Sequence, residues 1–134
     1  MVNKFIFSEL SNFPIHTLTF PQRFHIIQSI GLGLRDLAEN SICHRSLSPS
    51  SICLTRDKDG MHTAKINGFD TAIKMVNSSH VLLKGSIFWK KLRTVINYVS
   101  PEIKYEQKYS YEADIWSFGA IVNYILYGTV ENIT

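Results

Sequence analysis

The side chains best suited to chemistry gather in one stretch, Cys43–Leu54, which reads C-H-R-S-L-S-P-S-S-I-C-L. Its polar members are His44, Arg45 and the serines at 46, 48, 50 and 51. Transfer of a group to a hydroxyl needs a base within hydrogen-bond reach of that hydroxyl. Ser46 is uncharged near neutrality and accepts a proton poorly, so it does not supply that base. Magnesium takes hard oxygen ligands at short range, and a hydroxyl such as that of Ser51 is only a weak neutral ligand. Further along, Asp70 in Gly68-Phe69-Asp70 can offer a metal a carboxylate oxygen. In an extended segment it would point to the same side as Gly68. In a turn it would instead be solvated or cap the following helix, and both readings stay open.

Other chemistries find little support. The histidines at 16, 25, 44, 62 and 80 make no paired-ligand spacing. Asp57 and Asp59 fail as a calcium loop, because Thr55 and Ile66 would hold its first and twelfth positions. The two cysteines, Cys43 and Cys53, form no disulfide framework, and each sits in an apolar stretch as a small hydrophobe would.

Elements must hold the loop in place, and the sequence predicts several. Thr19-Phe20-Pro21-Gln22 has the form of a capping box with proline in the first turn. Phe24, Ile27, Ile30, Leu34 and Leu37 then follow helical spacing, which predicts a helix ending at Glu39–Ser41. Gly31 and Gly33 weaken that helix, so something is expected to pack closely there. Ser51–Thr55 and Thr63–Ile66 read as two strands joined by a polar turn closing in Asp59-Gly60. Residues 71–99 show no periodicity and read as a surface segment whose aromatics tuck under it. A last helix runs from Ser110 as N-cap to Gly128 as C-cap, apolar on most sides and therefore buried. Residues 1–18 read as a lead-in of partial strand or short helix. The expected fold is mainly α with a small β-hairpin.

With 134 residues, 45% of them hydrophobic and 19% charged, the chain has the composition of one globular domain. Its net charge of +3 calls for no nucleic-acid partner, and Lys90, Lys91 and Arg93 beside Phe88 and Trp89 are too few to imply one. The longest apolar run, Phe118–Leu126, is interrupted by Asn123 and too short to be a transmembrane segment. Without a signal-peptide pattern at Met1–Leu10, a cytoplasmic protein is expected.

Four blocks, in order, resemble the C-terminal (large) lobe of a eukaryotic protein kinase, over residues 19–134. Cys43–Leu54 is similar to the catalytic loop H-R-D-L-x-x-x-N, and Gly68–Asp70 stands at the metal-binding D-F-G. Residues 71–102 stand at the activation segment, closing in Ser100-Pro101-Glu102 for A-P-E. Residues 110–127, with Asp114-Ile115-Trp116-Ser117-Phe118-Gly119, resemble the central helix with its D-x-W-S-x-G. The hairpin before Ala64 and the Tyr109–Ile115 block look somewhat like the Roco (leucine-rich-repeat) kinases of the tyrosine-kinase-like group.

The resemblance implies which residues matter. Ser46 stands in place of the catalytic aspartate, Ser48 of a lysine, Ser51 of the metal-binding asparagine and Gly68 of the metal-binding aspartate. No catalytic residue is intact. The scaffold positions His44, Arg45, Phe69, Glu102, Asp114, Trp116 and Gly119 are kept, with His44, Phe69 and Asp114 tying loop to central helix. Arg45 is expected to meet a phosphate on the activation segment, with Ser86 and Thr94 as candidate phosphosites. Asp70 is the one candidate for metal binding. Ser46, replacing a lost catalytic group, has no structural duty that the sequence reveals.

No G-x-G-x-x-G loop or V-A-I-K lysine occurs among these residues, so the nucleotide-clamping small lobe is not expected here. The expectation is a pseudokinase-like, protein-binding or regulatory lobe whose partner is a small lobe or a regulated kinase. No cofactor is expected, and ATP with magnesium enters only through the family. The alternative is a divergent Ser/Thr kinase that binds ATP and transfers phosphate only when completed by a small lobe.

Overall fold

The longest element, helix α1, spans Phe20–Glu39 and starts as its residues dictate. Thr19 accepts from the Gln22 amide, the Gln22 side chain accepts from the Thr19 amide, and Pro21 sits in the first turn. In this computed structural model the chain is described for residues 8–75, 81–82, 86–106 and 108–128. The side chains of 81–89 and 104–108 lie outside that description.

The buried stripe of α1 is Ile26, Ile30 and Leu34, with Ile27 and Leu37 half-buried beside it. Phe24, expected in the stripe, is 57% exposed instead. The buried residues recur every four positions, and Phe24 lies off that row, stacked on Phe20 with ring centroids 6.4 Å apart. The glycine expectation holds at Gly33, where an added Cβ would stand 3.1 Å from Ile66 Cδ1. At Gly31 it would meet only the Phe118 ring at 3.6 Å, an ordinary contact.

Strand β1 (Ser8–Glu9) precedes α1, and β2 (Ile42–Cys43) follows it. Strands β3 (Ile52–Arg56) and β4 (His62–Ile66) form the hairpin. Its turn closes through Asp57, whose carboxylate accepts from the amides of Asp59 and Met61, and through Gly60 at φ +81°. An antiparallel sheet orders β1-β3-β4, with Leu54 paired to both Ser8 and Ala64. β5 (Ile73–Lys74) pairs with β2, matching Cys43 to Ile73. That pairing lays the 68–71 turn against the loop after Cys43.

β6 (Val81–Leu82) pairs with β7 (Lys108–Tyr109). Between them lie α2 (Ser86–Thr94) and α3 (Pro101–Glu106). The expectation of a loop is corrected at α2, a nine-residue helix. It contributes the buried Leu92, with Val95 just beyond it.

Helix α4 (Tyr111–Tyr127) ends as expected at Gly128, whose φ of +74° lets its amide reach the Tyr124 carbonyl at 2.7 Å. Its start differs, since Ser110 occupies the N-cap with extended backbone but makes no capping hydrogen bond with its side chain. The helix is buried along Ala113, Asp114, Ser117, Ile121 and Ile125, while Ile115 is 58% exposed, so it is not enclosed on all sides. Arg23 of α1 donates to the Leu126 carbonyl at 2.7 Å and joins the two helix ends.

One core holds Ile26, Ile30, Leu47, Ile52, Leu54 and Ile121, and Leu10, Ile15 and Leu18 from the lead-in belong to it. A second gathers Cys43, Leu92, Val99, Ile103, Tyr109 and Ala113. Each fully buried aliphatic side chain stabilises by about 1.5–3 kcal/mol relative to exposure. The chain is thus mostly helical with a few short antiparallel strands. No helix among the described residues is long and apolar enough to cross a membrane.

Candidate functional site

The loop after β2 is anchored by Asp114 in the first turn of α4. One carboxylate oxygen accepts from the His44 amide at 2.7 Å, and the other from the Arg45 amide at 3.1 Å. The second oxygen also accepts from the Tyr109 hydroxyl at 2.8 Å. Asp114 is 4% exposed and Tyr109 1%, so three donors serve one buried carboxylate. Burial, then the Asp114 charge, pushes the Tyr109 phenol well above its ordinary range. Tyr109 was not among the residues read from the sequence, where it passes for a core aromatic.

His44 is fully buried with both ring nitrogens engaged. Nε2 lies 2.7 Å from the Asn67 carbonyl, and Nδ1 accepts from the Ser46 amide at 3.2 Å. The tautomer follows, with the proton on Nε2. Burial lowers its pKa, which keeps the ring neutral in the fold. The Phe69 ring tilts against it at 5.2 Å between centroids and stays 47% exposed. The structure therefore brings His44, Phe69 and Asp114 together.

Three of the four loop serines face inward, and Ser50 is exposed. Ser46 is 4% exposed, with its hydroxyl 2.6 Å from that of Thr71. Ser48 and Ser51, 2% and 6% exposed, close the short turn Pro49–Ser51 on itself. The Ser48 amide donates to Ser51 Oγ at 3.0 Å, and Ser51 Oγ donates to the Ser48 carbonyl at 2.9 Å. The Ser48 hydroxyl lies 2.6 Å from that of Ser50 and accepts from the Ser50 amide. The expectation that Ser46 has no structural duty is corrected: its hydroxyl is buried and bonded to the neighbouring turn.

Gly68 adopts φ +72°, and Phe69–Thr71 forms a short 3-10 turn. The extended segment that would have aligned Asp70 with Gly68 is therefore absent, and Asp70 is exposed in the turn. The described residues hold no cluster of three metal-ligating side chains. The Arg45 Nε donates to the Thr71 carbonyl at 2.6 Å. Thr94 Oγ1 is exposed and donates to the Lys91 carbonyl at 2.6 Å, while the Ser86 side chain lies outside the described residues.

Glu102 is half-buried in the first turn of α3, and Trp116 half-buried against the main core. Among the described residues nothing lies within 4 Å of a Cβ added at Gly119, so none of them requires glycine there by packing. Cys43 is fully buried beside Asp114, and burial with that charge pushes its thiol up to about 12. A pocket of about 220 Å³ opens beside the loop, Ser48 and Thr94 among its walls, and none of the described side chains lining it is charged.

Comparison with known proteins agrees with this frame. The protein kinase domain profile matches residues 6–131. The calcium and calcium/calmodulin-dependent serine/threonine-protein kinase of Oryza sativa subsp. japonica is 38% identical over 104 residues, covering 77% of this chain and 18% of that protein. Dual specificity testis-specific protein kinase 1 of Rattus norvegicus is 30% identical over 111 residues, covering 78% of this chain and 16% of that protein. Serine/threonine-protein kinase ATG1c of Arabidopsis thaliana is 30% identical over 105 residues, covering 78% and 13%. The chain spans less than a fifth of the length of these curated relatives. On the match across most of its length, the chain belongs to the protein kinase domain family.

Proposed function

We propose that this segment is a catalytically degenerate kinase lobe that works by binding a protein, a small lobe or a regulated kinase, in a cytoplasmic setting. One observation carries the reading: the hydroxyls of Ser46, Ser48 and Ser51 are buried and bonded within the loop and its neighbouring turn. Phosphoryl transfer depends on positioning and on neutralising phosphate charge. No carboxylate occupies positions 46, 51 or 68, and the described residues lining the pocket beside the loop carry no charge. His44, Arg45, Phe69, Glu102, Asp114, Trp116 and Gly119 act in this reading as the kinase scaffold, and Thr94 as an accessible phosphorylation site. The Roco subgroup rests on the hairpin and the Tyr109–Ile115 block.

Restoring the lost groups tests the reading. The variant Ser46→Asp/Ser51→Asn/Gly68→Asp returns the acids and the amide but adds no phosphate-binding cations. Both it and the wild-type chain are expected to transfer no labelled phosphate from ATP to a generic protein substrate. Transfer by the wild-type chain above a no-protein blank would overturn the reading.

A further inference from the structure

We propose that Ser46 and Thr71 form a hydroxyl latch that holds the 68–71 turn closed on the 44–46 loop. Counting protons gives the direction of each bond. Thr71 Oγ1 donates to the His44 carbonyl at 3.1 Å, which uses its single proton. The Ser46 hydroxyl, 2.6 Å away, is therefore the donor to Thr71 Oγ1. The Thr71 carbonyl in turn accepts from Arg45 Nε at 2.6 Å. One threonine thus bonds three consecutive loop residues, His44 through its carbonyl, Arg45 through its guanidinium and Ser46 through its hydroxyl.

Both hydroxyls are shielded, Ser46 at 4% and Thr71 at 9% exposure, so water does not readily replace a lost partner. Gly68, at φ +72°, starts the turn, and the β2–β5 pairing at Cys43 and Ile73 follows it. The latch sits between these two points and fixes where Phe69 meets His44. A small residue at position 46 is what leaves room for the two oxygens to meet. The latch rests on geometry alone and stands or falls separately from the non-catalytic reading.

Hydrogen exchange on the 134-residue chain, read by mass spectrometry, tests it. Thr71→Val keeps the shape and removes the hydroxyl. Exchange at amides 44–47 and at 69–72 is expected to speed up together, roughly 3- to 10-fold, the worth of one net hydrogen bond. Ser46→Ala is expected to speed exchange at 69–72 by a similar factor, across the contact from the substitution. Thr71→Ser, which retains the hydroxyl, stays within about twofold of wild type. The double variant Ser46→Ala/Thr71→Val should exchange more slowly than the product of the single effects, because the two groups share one interaction. Should Thr71→Val unfold the chain, Ser46→Ala and Thr71→Ser still decide. Acceleration by Ser46→Ala confined to its own neighbours, or a Thr71→Ser variant as fast as Thr71→Val, would overturn the latch.

Discussion

The Tyr109 hydroxyl donates to the Asp114 carboxylate at 2.8 Å, and that carboxylate also holds the His44 and Arg45 amides. Loop, β7 and α4 therefore meet at one buried anion. Asp114→Ala leaves three buried donors without an acceptor, each costing about 1–3 kcal/mol if unsatisfied. Tyr109→Phe removes one neutral donor from a carboxylate that keeps two others, and should cost about 1 kcal/mol. Trp116→Ala, at a half-buried site, belongs near 3 kcal/mol, about the lower end for a truncated aromatic. Denaturant midpoints check the order, with Asp114→Ala the most damaging. A chain that tolerated Asp114→Ala better than Tyr109→Phe would contradict the anchoring role.

Ser46→Ala is expected to lower stability by about 0.5–1.5 kcal/mol, since Thr71 Oγ1 loses the hydroxyl that donates to it while keeping its own bond to the His44 carbonyl. Ser100→Ala should do the reverse. The Ser100 hydroxyl is fully buried, with no hydrogen-bond partner among the described residues. Removing an unsatisfied buried hydroxyl should raise stability by about 1 kcal/mol. Urea melts of the two variants, measured side by side, should shift in opposite directions.

Two glycines make a matched pair. Gly119→Ala meets none of the described residues and gains helix propensity, so it should stabilise by about 0.5–1 kcal/mol. Gly33→Ala places a methyl 3.1 Å from Ile66 Cδ1 and gains only if the hairpin yields. Thermal midpoints should rank Gly119→Ala above wild type and Gly33→Ala below Gly119→Ala.

Stability should form a plateau around neutral pH and fall on both sides. His44, and His62 with it, have pKa values lowered by burial from 6.5, so the unfolded chain takes up protons first as pH falls. Stability is thus full above about 6.5 and is lost as pH falls through the folded-state values. Cys43, raised from 9.0 to about 12, and Tyr109, raised above 10.0, act on the other side. There the unfolded chain loses protons first, and stability falls as pH rises beyond about 9. Urea midpoints between pH 5 and pH 10 would map the plateau, and a midpoint rising steadily toward pH 5 would contradict the buried neutral His44.

Much of this architecture was legible because it is written in local chemistry. Thr19 and Gln22 make the capping box that their types and spacing imply, and Gly128 ends α4 through its positive φ. The alternation of β3 and β4 around Asp59-Gly60 gave the hairpin within a residue or two at each end. Phe24 was misplaced because three-and-four spacing does not by itself say which of several apolar rows faces inward. Helix α2 was missed because nine residues span too few turns to set a helical repeat apart from the scattered apolar residues of a loop. In the site, His44, Phe69 and Asp114 were found by motif, whereas Thr71 and Tyr109 were not. A threonine or tyrosine that bonds across 25 residues or through a buried carboxylate leaves no periodic or compositional mark.

The central claim is that this lobe does not use ATP, and its thermal midpoint with magnesium-ATP tests it most directly. A ligand present at 100 times its dissociation constant stabilises a fold by about 2.7 kcal/mol. Because the described residues lining the pocket beside the loop carry no charge, Ser48 and Ser51 are bonded within their own turn and Ser46 is bonded to Thr71, millimolar magnesium-ATP should leave the midpoint where magnesium alone leaves it. A reproducible rise with magnesium-ATP over magnesium alone would contradict the account.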